Sequence, residues 1–589
     1  MNVTQLLRRA GEHHQAGRLA EAQALYRQIL ARQPRHADAL HRFGLLAHQV
    51  GENDAAADLI SQAIAARPST ASYHNDLGIV LAAQCRPSEA VAAYRRAIAL
   101  QPDFFQAHGN LGVALRVLGF NKQAIAAYRE AIRCQPGSAE AYYNLANLHR
   151  DQDQLREAVE CYQAALRLQP EHPRAWHNLG LTYRALGQED EAIDVYRHVL
   201  ELTPGALETL LNLGNLLNAQ GRVEEALTRF RRAIELAPDR AEAHTGLAVA
   251  LRGSGRLDEA DAAFARALRC QPKDPDARLN YAIQMLARGE YKEGWPLYEA
   301  RWTAKAINLP RPDFPQPEWD GRPLQGERVL VHAEQGLGDS IQFVRYVPRI
   351  AEMGGRVVLS CPAALAELLR GVRGVTELIH DGEPRPPFDL RVAMMSLPRI
   401  FGTVVETIPA EAPYVAVDAT REETWRQRLG PRRSEARVGL VWSGNPRHRF
   451  DHRRSIPFEL VLPLLEVEGV EFYSLQKGRG AADLHSLPPG ARIADWTDQF
   501  DTFADTAAFL QQLDLVITVD TSVAHLAGAL GRPVWTMLAM AADWRWLLDR
   551  ADSPWYPTMR LFRQPRFGEW APVIADVREQ LIALARARR

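Results

Sequence analysis

Polar and apolar positions repeat with different periods in the two halves of the chain. Through residue 272 apolar positions recur at helical spacing, and the whole pattern returns every 34 residues, with prolines at 34, 68, 102, 136, 170, 204, 238 and 272. Eight residues before each proline stands a large side chain: Tyr26, Ile60, Tyr94, Tyr128, Tyr162, Tyr196, Phe230, Phe264. Twelve before each stands alanine, from Ala22 to Ala260, and ten after each stands glycine or alanine, from Gly44 to Ala282. Small residues let paired helices approach, the large side chain fills the gap, and proline closes the second helix. Eight helix pairs are predicted over 1–272, and a closing pair over 273–305 whose Trp295, Tyr298 and Trp302 pack against the second half of the chain. Residues 306–326, with five prolines in LPRPDFPQPEWDGRPLQG, read as a stiff linker or strap.

From Glu327 the pattern becomes strand, turn, helix. RVLVHAE (328–334) predicts a strand, QGLGDS (335–340) a glycine-rich turn and IQFVRYVPRIAEM (341–353) an amphipathic helix. The alternation restarts at RVGLVWSG (437–444) and runs to a terminal helix over about 571–588. Its centre is LDLVITVDTSVAHLAGALGRPVWTM (513–537): a buried strand Leu515–Val519, a polar turn Asp520–Ser522, a helix Val523–Leu530 and a strand Val534–Met537. Continuous apolar runs of strand length breaking into helix starts are the parallel α/β signature. In such sheets ligands collect beyond the carboxyl ends of the strands, where a helix N-terminus suits phosphate. The predicted fold class is an all-α repeat superhelix followed by two Rossmann-like α/β lobes, over 327–430 and 431–589.

Composition narrows the reading. The chain has 589 residues, too many for one core, and a net charge of −1, which argues against a general nucleic-acid binder. Five scattered cysteines (Cys85, Cys134, Cys161, Cys270, Cys361) form neither a disulfide framework nor a zinc site. The N-terminus has no apolar core of signal-peptide length and no stretch reaches about 18 apolar residues, so a cytoplasmic location and no transmembrane segment are expected. No metal site is expected.

The 34-residue pattern resembles the tetratricopeptide repeat, which implies a binding scaffold for protein. Eight residues after the proline come Asn110, Asn144, Asn178, Asn212 and Asn280, with Asp76 in the same register. These amides either form a ladder that pairs with an extended peptide, or cap and bridge neighbouring repeats. A similar ladder lines the repeat groove of eukaryotic O-GlcNAc transferase, whose overall layout this chain resembles. In the second half, GLGD at the first strand–helix turn together with DTSVAHLAGALGRP after a later strand resembles the GT-B glycosyltransferases of family nine, the ADP-heptose heptosyltransferases. The resemblance covers roughly 327–589 and implies inverting, metal-independent transfer from an ADP- or UDP-linked sugar. It implies Asp339 as catalytic base. It also implies donor contacts from Asp520, Thr521 and His525, with Arg454 where the family carries a lysine. Gln476 and Lys477 follow the strand that precedes the family's nucleotide contacts. Ser522 stands where glycine is usual, and the first lobe is short. The amides at Thr521–Val523 face a departing diphosphate, and Asp520 is assigned to sugar hydroxyls or helix capping. The run WYPTMRLFRQ (555–564), with Asp543, Trp544 and Arg545, is read either as packing for the terminal helix or as a wall of the nucleotide pocket. Together these imply a glycosyltransferase whose repeats recruit a protein or glycan acceptor. The alternative is a repeat scaffold with an inactive nucleotide-sugar-binding domain.

Overall fold

The computed structural model describes residues 1–305, 307, 309–446 and 451–589. Ala306 and Asn308 of the expected linker lie outside the described residues. The chain divides into two compact units, Met1–Leu217 and Asn218–Arg589.

Sixteen helices run from Val3 to Cys270, two per 34-residue unit, and a further pair, Pro275–Arg288 and Tyr291–Tyr298, comes after them. The small positions are dictated by contact. A Cβ on Gly78 would stand 2.5 Å from the Tyr94 ring, and one on Gly112 2.6 Å from the Tyr128 ring. Tyr26, Tyr128, Tyr162 and Tyr196 are fully buried, as is Ile60 at the same position of the second repeat, so each repeat closes on one large side chain.

All the strands lie in the second unit. A four-stranded sheet holds β1 (Arg328–His332), β2 (Arg356–Cys361), β3 (Val375–His380) and β4 (Leu390–Ala393) in the order β3-β2-β1-β4. A six-stranded sheet holds β5 (Ala436–Val441), β6 (Val470–Ser474), β7 (Ala494–Asp495), β8 (Leu515–Val519), β9 (Val534–Leu538) and β10 (Met559–Arg563). Its order is β10-β9-β8-β5-β6-β7, and every named pairing in both sheets is parallel. Strand order therefore reverses between β1 and β4 in one lobe and between β5 and β8 in the other. These are the two switch points at which such sheets leave a crevice beyond their carboxyl ends.

The helix expected over 341–353 begins earlier, at Leu337, and is broken: Leu337–Phe343, a 3₁₀ turn Val344–Tyr346, then Val347–Glu352 with Pro348 in its first turn. The proline-rich segment is not a loose tether. Trp319 is buried, and its backbone N–H donates to the Arg391 carbonyl at 2.8 Å beside β4.

One core runs through the closing helix pair, the first lobe and the inner side of the second, taking in Trp295, Tyr298, Val331, Phe343, Val516, Trp544 and Tyr556. A second core packs Val438, Leu515 and Trp535 against the terminal helix Ala571–Arg588.

Candidate functional site

At the first switch point β1 runs into the turn 333–336 and the Leu337–Phe343 helix. Asp339 lies in the first turn of that helix and accepts the Gly336 N–H at 2.7 Å. Its other carboxylate oxygen pairs with Arg545, which comes from the opposite lobe. Arg545 also donates to Asp543 at 2.7 Å and to Gln342 at 2.7 Å, and its guanidinium lies 4.3 Å over the Trp544 ring. Burial pushes the Asp339 carboxyl above its usual range, and Arg545 opposes that push. The guanidinium is thus a charge held between two carboxylates and an amide.

At the second switch point β8 ends at Val519 and the helix Ser522–Ala529 starts. Thr521 is the cap residue; its hydroxyl stands 3.1 Å from that of Thr518 and does not cap the helix. Burial first, then the charge of Asp543, raises the Asp520 carboxyl to about 6, while the Trp546 indole and Arg454 pull it down. Arg454 donates to the Asp520 carbonyl at 3.0 Å and to the Asp451 carboxylate at 3.0 Å, which places a cation beside the helix start. Ser522 opens that helix half-buried.

Two expected donor contacts turn inward. His525 is buried, its Nδ1 lies 2.9 Å from the Tyr556 hydroxyl, and its ring stacks on Trp546 at 5.3 Å. Its opposite edge meets the first lobe, where a Cβ on Gly338 would come within 2.7 Å of it. Burial, reinforced by Arg545, holds this imidazole neutral. Gln476 is buried as well: its Oε1 accepts the Trp442 and Ser443 N–H groups at 3.1 and 2.9 Å, and its amide nitrogen donates to the Lys477 carbonyl. It ties the ends of β5 and β6 together. Lys477 is exposed and donates to the Phe500 carbonyl at 2.5 Å.

Most of the asparagine series makes bonds between helices. Asn110 donates to Asn75 at 3.1 Å, Asn178 to Asn147 at 2.9 Å, and Asn212 accepts from Arg184 at 3.2 Å. The Asn280 amide oxygen accepts from Arg252 at 3.4 Å, while its amide nitrogen donates within its own helix to the Asp276 carbonyl at 2.9 Å. Asn144 bonds within its own helix, to Glu140 at 3.4 Å.

Part of the aromatic run packs for the terminal helix as expected: Phe562 shares a core with Val573 and Val577, and Arg560 donates to Gln580 at 2.9 Å. Trp544 and Trp555 meet the closing helices, with Trp544 at 5.2 Å from Trp295 and the Trp555 indole donating to the Tyr291 hydroxyl at 3.1 Å. Arg345, also missed in the sequence, is buried between the lobes; it donates to the Trp555 carbonyl at 2.7 Å and to the Tyr414 hydroxyl at 2.8 Å. Its only sequence signal is an arginine inside an otherwise apolar helix face.

A cavity of about 240 Å³ lined by Glu367, Arg370, Asp418 and Arg421 shares no residue with the site around Asp339, and Arg421 is ion-paired with Glu367 and Asp505. Among the described residues no three His, Cys, Asp or Glu side chains cluster as metal ligands, and no described helix is long and apolar enough to cross a membrane.

Comparison with known families matches the repeats and one stretch of the α/β half. The tetratricopeptide-repeat profile matches residues 7–71, 41–103, 75–139, 143–206 and 211–299. The first half is a tetratricopeptide-repeat array. The profile of glycosyltransferase family 9 (heptosyltransferase) matches residues 501–548, the stretch that carries β8, Asp520 and Arg545. Protein FlbA of Caulobacter vibrioides is 29% identical over 315 residues, half of this chain; the match spans about half (52%) of that relative's length. Among solved structures, YrrB, described as a TPR protein with an unusual peptide-binding site, is 24% identical over 31% of this chain and 94% of its own, with a TM-score of 0.29. A TPR repeat-containing protein from Cytophaga hutchinsonii is 17% identical over 41% of this chain and 99% of its own, with a TM-score of 0.37.

Proposed function

We propose that the α/β half is an inverting glycosyltransferase, taking a sugar from an ADP- or UDP-linked donor to a protein or glycan acceptor recruited by the tetratricopeptide repeats. The observation that supports it is the convergence of the two switch points: Asp339 on one lobe meets Arg545 from the other, with Arg454, Asp520 and the start of the Ser522–Ala529 helix on the facing side. The family 9 match over 501–548 supports the donor assignment for that side.

In this reading the acceptor hydroxyl gives its proton to Asp339 as its oxygen bonds to the anomeric carbon. The bond from that carbon to the diphosphate breaks, and the leaving negative charge falls on Arg454 and the free N–H groups at the helix start. Arg545 keeps Asp339 ionised before the transfer. No step calls on a metal ion. Asp520, beside the helix, serves sugar hydroxyls.

The test is release of nucleoside diphosphate from a panel of nucleotide sugars, with Asp339→Asn as the control. Loss of the base is expected to slow turnover ~10²–10⁴-fold while nucleotide binding persists. Nucleotide binding without release from any donor would sink the transferase reading and leave a scaffold with a nucleotide-sugar-binding domain.

A further inference from the structure

Arg301 sits in the 3₁₀ turn Glu299–Trp302 that ends the closing helix pair, and it is fully buried. Its guanidinium lies 4.7 Å over the Trp302 ring. It donates to Glu299 at 2.8 Å, to Glu334 at 3.1 Å and to the Ser396 hydroxyl at 2.7 Å. Glu334 lies just after β1 and Ser396 just after β4, so one guanidinium clamps both strands of the first switch point at their carboxyl ends. The Glu334 side chain is only 2% exposed; its Oε1 also accepts the Met395 N–H at 3.1 Å, and its Oε2 has no partner. The next residue, Gln335, donates to the Tyr298 hydroxyl at 3.2 Å, again a residue of the closing helices. Gly336, directly after it, donates to Asp339.

We propose that Glu334 is a positioning residue for the turn that carries Asp339, and that Arg301, supplied by the end of the repeat array, holds it there. The closing helices thus complete the first lobe's half of the site. The proposal rests on the transferase reading for its kinetic consequence and on the clamp alone for its structural one.

The groups facing Glu334 are Arg301 and Glu299 from the 3₁₀ turn, the Met395 amide after β4, and Asp339 from the Leu337–Phe343 helix; Arg399 approaches Glu299 at 3.6 Å. Burial raises the Glu334 carboxyl to about 7, against the pull of Arg301. A carboxyl raised on folding favours the folded state below its unfolded value and loses that contribution as pH rises through the folded value.

The experiment compares the full chain with its Glu334→Gln, Arg301→Lys, Arg301→Met and Ser396→Ala variants. With the donor that supports release, Glu334→Gln and Arg301→Met are expected to lower kcat ~10–100-fold, the cost of a misplaced base. The donor KM and the affinity for free ADP or UDP stay within about twofold, because those contacts lie on the other lobe. Arg301→Lys recovers part of the rate. Between about pH 5 and pH 8 the Tm of the parent chain falls relative to Glu334→Gln. Hydrogen exchange gives the readout that needs no turnover: Arg301→Met and Ser396→Ala speed exchange at 335–340 and leave 520–524 unchanged. Unchanged exchange at 335–340, or a full kcat in folded Glu334→Gln, overturns the inference. A parent chain that releases no nucleoside diphosphate, with exchange at 335–340 still sensitive to Arg301, overturns the transferase reading alone.

Discussion

Asp339 has one oxygen on a backbone N–H and the other on Arg545. That arrangement fixes what each neighbour can do. A guanidinium shared by Asp339, Asp543 and Gln342 makes planar, forked contacts that an ammonium cannot reproduce. Arg545→Lys is therefore expected to cost nearly as much kcat as Arg545→Met, about 10²-fold, in the nucleoside diphosphate assay. Asp520 supplies the pH prediction at this scale. Its carboxyl is raised to about 6 by burial and by Asp543, so its stabilising contribution is full at low pH and is lost as pH climbs through 6. Thermal unfolding of Asp520→Asn should be less pH-dependent between about pH 4 and pH 7 than that of the parent chain, with the higher Tm on the alkaline side. What the sequence disclosed here was a resemblance carried by two strand–helix turns, which is what marks Asp339 and Asp520. It did not disclose direction. Gln476 follows a strand end and His525 lies in a helix's first turn, yet their side chains point back into the protein, because each satisfies a buried partner that no local pattern announces.

At the scale of elements, the repeat was readable because its spacing is enforced by contact. Gly180 has the Tyr196 ring against it, and Gly112 the Tyr128 ring. A methyl group at Gly112 has nowhere to go unless the ring moves, and overpacking of this kind costs about 1–3 kcal/mol. Gly112→Ala should therefore lower the denaturant midpoint of the Met1–Leu217 unit, while Gly137→Ala, which meets nothing within 4 Å, should not. The breaks in the α/β half were less legible. Pro348 was visible inside the expected helix, but whether the chain would kink or restart there depends on the 3₁₀ turn before it, which Phe343 and Tyr346 secure by stacking at 6.4 Å. The asparagine series shows the same limit: its register is plain, but which amide hydrogens meet a neighbour is set by helix packing.

For the molecule as a whole, periodicity places a boundary after the last repeat, whereas compactness places it at Leu217, inside the helix Leu207–Ala219. The reason lies in long-range contacts. Arg453 donates to the carbonyls of Asn218 and Ala219 at 3.0 and 2.8 Å, and Phe567 lies where a Cβ on Gly221 would be 3.1 Å away. Trp295 is buried and its indole donates to the Thr403 carbonyl at 3.0 Å. Trp295→Ala should destabilise the Asn218–Arg589 unit by about 3–5 kcal/mol, read as its own thermal transition, and leave the transition of Met1–Leu217 in place. A polypeptide starting at Asn218 should fold and bind nucleotide; one starting at Gly326 should expose the faces of Trp544 and Trp555 and aggregate. The position of that boundary also sets what can vary over evolutionary time. Met1–Leu217 is a compact unit of its own, which gives its repeats room to drift, duplicate or be exchanged for a different recruit. The closing helix pair shares a core with the α/β half, so a change in what is recognised is least constrained in the repeats before it.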